Sequence, residues 1–209
     1  IKHQSSGVRS CYHDKRHVVS AVLRYEDVCL FLDADSRLID EINFDEFIRD
    51  DTFLVAPWAV NLYKKLELEL LDAKNNNLLK GFKRRKNIFL NIGKHLDIDI
   101  SDTLFIKEAI FSINKHNGDY ATFIKTWDFC AKYTTTRLLE ASEGSSIGIS
   151  AKASKCKVYS LARNPDWYFN DYYINHWKTN DQKNKHAKMA VLRNSIGKEP
   201  QKSIRAYLK

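Results

Sequence analysis

Two aspartates, Asp33 and Asp35, stand one residue apart at the end of an unbroken apolar run, Val28-Cys29-Leu30-Phe31-Leu32. The run predicts a buried strand over 28–32, and open α/β sheets bind their ligands outside the carboxyl ends of such strands. Side chains two apart on an extended chain share a face, so both carboxylates can reach one hard cation from the same side. Mg²⁺ and Mn²⁺ favour oxygen ligands and commonly share them with substrate phosphates. An ion held there would offset the charge of a departing diphosphate. The plainer reading of the pair is a strand end that faces water.

Two other carboxylates sit in telling places. Glu108 interrupts the apolar stretch 104–113, where an unpaired charge is costly to bury; it either pairs with a cation such as Lys107 or points into a cleft. Glu143 precedes Gly144-Ser145-Ser146 and an Ile-x-Ile pattern, which reads as the start of a helix. The helix dipole favours an acid there, so capping alone would account for it.

The segment Tyr25-Glu26-Asp27-Val28-Cys29-Leu30-Phe31-Leu32-Asp33-Ala34-Asp35-Ser36 resembles the metal-binding strand of nucleotide-sugar-dependent glycosyltransferases of the GT-A fold. The basic-headed stretch from Lys15 to Tyr25 is similar to the helix that precedes that motif in many members. The resemblance implies a three-layer α/β/α domain with a mixed central sheet. It implies that Asp33 and Asp35 hold Mn²⁺ or Mg²⁺, with His176 as a third ligand, and that Lys15, Arg16, Asp33, Ala34, Asp35 and Ser36 line the donor. Glu143 or Glu108 would then face the acceptor or act as the base. The implied partners are a nucleoside-diphosphate sugar, a UDP-sugar foremost, and a glycan or other hydroxyl acceptor.

GT-A enzymes place a nucleotide-binding βαβ unit before the Asp-x-Asp, whereas 32 residues precede Asp33 here. With Ile1 in first place, the expectation is a chain lacking part of that unit. Haloacid-dehalogenase-type phosphatases also carry Asp-x-Asp after an apolar strand, with the first Asp as nucleophile and the second as acid/base. Their pattern has Thr or Val where this chain has Arg37, which ranks that reading second.

The elements that would position these residues follow from periodicity. Residues 1–14 read as a loop, with Arg9 and His13 as minor candidates for the donor side. A helix is predicted from about Lys15 to Arg24, a short helix near Phe44–Ile48, and a strand before Pro57. The resemblance to GT-A enzymes implies that this strand lies beside the metal site. An amphipathic helix is predicted over 58–73 and ended by Asn75-Asn76-Asn77. The basic run 80–86 reads as a loop or a helix start, residues 104–113 as two short strands or one bent strand, and 120–133 as a helix. A late strand is predicted at 157–161. Residues 164–177 gather Trp167, Tyr168, Phe169, Tyr172, Tyr173 and Trp177, rings that would stack on sugar faces or fill a core.

The 209 residues suffice for one sizeable domain. The expected division is a catalytic domain over 1–175 and a basic, helical segment over 176–209. Net charge is +8, and residues 176–209 hold nine Lys/Arg against Asp181 and Glu199. That tail suits an anionic membrane surface. A basic nucleic-acid-binding domain is the non-enzymatic alternative, although no helix-turn-helix, zinc or RNA-binding motif supports it. No run approaches the roughly 18 apolar residues of a bilayer span. The four cysteines are scattered without a Cys-x-x-Cys pair, so a reduced cytoplasmic setting, peripheral to a membrane, is the expectation.

Overall fold

The computed structural model describes residues 11–33, 36–137 and 143–170. The chain divides into two compact units, Ile1–Asp33 with Asn43–Pro165, and Ala34–Ile42 with Asp166–Lys209. The boundary expected between 175 and 176, and the basic segment after it, lie outside the described residues.

The first unit is α/β with a mixed four-stranded sheet. Strand β1 (Val28–Leu32) is the apolar run before Asp33, with the bounds read from the sequence. In the smaller second unit, β2 (Ser36–Leu38) pairs antiparallel with β8 (Tyr168–Asn170). The main sheet is completed by β3 (Leu54–Ala56), β6 (Ile110–Asn114) and β7 (Val158–Ser160), in the order β1-β6-β3-β7. Strand β6 runs antiparallel to both β1 and β3, while β3 and β7 are parallel. Three strands therefore point one way around a single reversed one. The strand expected beside the metal site, β3, is one place further away; β6 takes that position because Leu32 pairs with Ile110.

Alternation along the strands puts Cys29, Phe31, Phe111, Ile113, Leu54 and Ala56 on one face. There they meet Val19 of α1 (Lys15–Val22), Phe123 and Trp127 of α4 (Tyr120–Thr135), and Ile147 and Ala151 of α5 (Glu143–Ala153). On the opposite face, Ser112 donates to the carbonyl of buried Phe47, next to the 3₁₀ turn Phe44–Glu46.

Two local predictions are corrected. Residues Ala59–Asn61 form strand β4, paired with β5 (Leu104–Ile106), and the helix begins only at Leu62 as α2 (Leu62–Leu71). The Asn61 side chain caps it by accepting from the Lys64 amide. The basic run 80–86 lies inside α3 (Asn76–Leu96), and Asn75 caps that helix instead of closing the previous one. Helix α3 buries Ile88, Phe89 and Ile92 against Leu62, Leu66, Cys130 and Ile149.

Helix α5 approaches β5 closely along one edge. A methyl on Gly148 would overlap the Leu104 carbonyl oxygen, and one on Gly144 would meet Glu108 Oε2 at 2.5 Å as well as the Ile106 carbonyl oxygen. Gly148→Ala is therefore expected to cost about 3 kcal/mol, since backbone must move to admit it. Gly81→Ala, in open space on α3, is expected to gain about 0.5–1 kcal/mol. Urea midpoints of the two variants check the contrast, and equal shifts would contradict the close seam.

Candidate functional site

Reversal of β6 builds the site. The carboxyl end of β1 lies beside the amino end of β6, and the ladder runs one step past the strand, with the Asp33 amide donating to the Ala109 carbonyl at 2.9 Å. Asp33 and Glu108 thus leave the same end of the sheet from adjacent strands. Helix α5 brings its first residue, Glu143, to the same place. Pro57 and Trp58 follow β3 at that end too, since β3 runs parallel to β1.

Lys15, the first residue of α1, closes this acidic end. Its ammonium lies 2.7 Å from Asp33 Oδ1 and 3.5 Å from Glu143 Oε1, and donates to the Glu108 carbonyl at 3.4 Å. It also stands 5.4 Å from the centre of the Phe31 ring. Lys15 is 9 % exposed and Glu143 5 %, so these charges meet largely out of water. A cation there offsets two carboxylates that burial alone would disfavour. Arg16, the other basic residue implied as a donor contact, turns to α4 and bonds Asp128 Oδ1 through Nε at 3.0 Å. His13 is fully buried, with Nε2 3.2 Å from Thr134 Oγ1. Burial lowers its pKa to about 4.

The two glutamates titrate unusually. Burial raises Glu108 to about 7, with the neighbouring Glu143 charge adding to it, and Glu108 Oε2 is buried without a hydrogen-bond partner. Burial also raises Glu143, opposed chiefly by Lys15. Raised carboxyl groups near a charged partner at a strand end are the pattern expected of groups that exchange protons. Lys107, next in sequence to Glu108, is lowered to about 8 by burial, and its Nζ stands 5.0 Å from the centre of the Trp58 ring.

A stability consequence follows for Glu108. A carboxyl whose pKa rises on folding binds more protons in the native state between about 4.5 and 7, so its contribution is present below that range and lost as pH rises through 7. Glu108→Gln is expected to remove this dependence and to be more stable than the parent at pH 8 by about 1–3 kcal/mol. Melting curves at pH 5 and pH 8 check it; identical pH slopes in parent and variant would contradict the buried position.

The structure thus brings together Lys15, Asp33, Glu108 and Glu143, which lie far apart in the chain. Ser36 falls in the second unit, where its hydroxyl donates to the Tyr168 hydroxyl at 3.3 Å. Ala34, Asp35 and His176 lie outside the described residues, and so does the aromatic stretch beyond 170. Among the described residues, no group of three or more His, Cys, Asp or Glu could hold a metal ion. Asp33 still fits one: it is an oxygen donor of the hard type, its side chain is a quarter exposed, and two carboxylate oxygens can serve a lysine and a cation together. Sequence reasoning missed Trp58 as part of this end; the signal was its place just after Pro57 and a buried strand.

No protein-family model, curated protein or solved structure matches the chain. No helix among the described residues is long and apolar enough to cross a membrane.

Proposed function

We propose that the chain is a metal-dependent glycosyltransferase of GT-A type, moving a sugar from a nucleoside-diphosphate donor to an acceptor hydroxyl. The observation that carries the reading is the convergence of Lys15, Asp33 and Glu143 at the carboxyl end of β1, directly before the second aspartate of the sequence motif. The mixed parallel and antiparallel sheet of an α/β unit also supports it.

In this reading Asp33 and Asp35, with His176, hold Mn²⁺ or Mg²⁺, which offsets charge on the departing diphosphate when bound. Lys15 pairs with Asp33 and Glu143 and adds fixed positive charge where negative charge develops. Glu143, buried at the head of α5 and held by Lys15, takes the acceptor proton. Glu108, near half-protonation at pH 7, is raised by burial and by the charge of Glu143 beside it.

The test is a thermal-shift series of nucleoside diphosphates and nucleotide sugars with and without Mn²⁺. A ligand at a hundred times its Kd stabilises by about 2.7 kcal/mol, which for a chain of this size raises Tm by about 5–10 °C. The shift is expected for one diphosphate nucleotide, only with the metal, and is expected to vanish in Asp35→Ala. A response unchanged in that variant would falsify the assignment. Release of phosphate from simple esters through a phosphoaspartate at Asp33 would establish the phosphatase in its place.

A further inference from the structure

Helices α2 and α3 form a hairpin whose charge is strongly one-sided. Residues 62–96 carry nine Lys/Arg against Glu67, Glu69 and Asp72, and α3 holds no acidic residue in 21 positions. The acids of α2 are already engaged: Glu67 pairs with Lys86, and Glu69 with Lys65 and Arg85. Lys74 before α3, and Lys80, Lys83 and Arg84 along its exposed side, are left to face solvent. Arg84 is anchored there through the Arg137 carbonyl.

At the turn end of the same hairpin, exposed leucines flank the polar connection Asp72-Ala73-Lys74-Asn75. Leu71, the last residue of α2, is 81 % exposed, Leu68 one turn earlier is 59 % exposed, and Leu78 in the first turn of α3 is 43 % exposed. Beside them runs a groove of about 270 Å³ whose lining includes Leu78, Phe82 and Ile88 together with Asn77, Arg84 and Arg85. Large exposed leucines gathered at one tip are unusual on a surface that meets only water.

From this juxtaposition of exposed leucines beside the turn and a basic flank, we propose that the α2–α3 hairpin seats the protein on an anionic lipid surface. Leu68, Leu71 and Leu78 enter the headgroup layer, while Lys74, Lys80, Lys83 and Arg84 meet lipid phosphates. Interfacial elements bind by this combination of buried apolar area and attraction to anionic lipid. The partner must be negative, which excludes the segment 176–209 of this chain as the cover, because it is itself +7. Nucleic acid would satisfy the cations and leave three exposed leucines with no contact to make, so lipid is the occupant that uses both halves of the surface. The inference is independent of the sugar-transfer reading.

The experiment is flotation of the full chain with phosphatidylcholine vesicles and with vesicles containing phosphatidylglycerol, at low and high salt. Binding is expected to the anionic vesicles only, and to weaken with salt. Two variants follow, Leu68→Ser/Leu71→Ser/Leu78→Ser and Lys80→Glu/Lys83→Glu, all at exposed positions whose circular dichroism and melting should match the parent. Each is expected to lower partitioning at least about tenfold. Binding to anionic vesicles that neither variant changes would assign it to another part of the chain and overturn the proposal. Absence of vesicle binding, or stronger binding to a DNA or RNA duplex than to vesicles, would overturn it too.

Discussion

Lys15→Met should lower the unfolding free energy by about 3–5 kcal/mol, the usual cost of leaving a buried carboxylate without its cation. Its ammonium is shared by Asp33 and Glu143 at 2.7 and 3.5 Å, with Lys15 and Glu143 each exposed by less than a tenth. Methionine fills the same volume and supplies no charge, so the loss isolates the electrostatic part. For a chain of this length the shift corresponds to about 6–20 °C in Tm. Lys15→Arg should not restore the parent, because a planar guanidinium cannot meet three acceptors arranged around one ammonium. Adding Glu143→Gln to Lys15→Met should recover part of the loss, since one of the stranded charges is then gone; a double-mutant cycle measures this coupling. A loss below 1 kcal/mol for Lys15→Met would mean that water, not lysine, solvates these carboxylates.

The largest effect on activity is expected from Glu143→Gln. If Glu143 takes the acceptor proton, its amide keeps the shape of the site and loses the base, and kcat should fall about 10²–10⁴-fold. Donor affinity, measured by titration with Mn²⁺ present, should change little, because the assigned metal ligands are untouched. Glu108→Gln should instead leave a working base, since Glu143 is raised by burial and by the Asp33 charge, not by Glu108. Retention of parental kcat by Glu143→Gln would remove that residue from the chemistry.

Much of the frame was legible in the sequence where periodicity is local. The apolar run 28–32, a helix over 120–133 with Phe123 and Trp127 inward (Tyr120–Thr135 in the structure), the helix start at Glu143 and a strand over 157–161 (Val158–Ser160 in the structure) all follow from residue spacing. What was not legible depends on distant partners. Residues 59–61 continue a helical pattern, yet they pair with 104–106, and only that ladder makes them a strand. Three successive asparagines can close one helix or open the next, and the Leu78 amide bonded to Asn75 decides it. The resemblance implies Lys15 as a donor contact, but nothing in its sequence neighbours reveals the carboxylates of residues 33 and 143 that it meets. Glu108 stands out in the sequence as a charge inside an apolar stretch, and Glu143 as the acid at a helix start. Their meeting at one end of the sheet needed the reversal of β6, which no local pattern encodes.

That reversal also governs when the site can exist. In the main sheet β1 has no partner from its own stretch of chain: its ladder closes with residues that emerge about eighty positions later, and Glu143 comes later still. During synthesis Asp33 and Lys15 must wait, unsheltered, while the α2–α3 hairpin is made and can already pack on itself. Loop closure over such a separation is slow, so the acidic end should be among the last parts to assemble and among the first to appear exchange-competent when the protein opens.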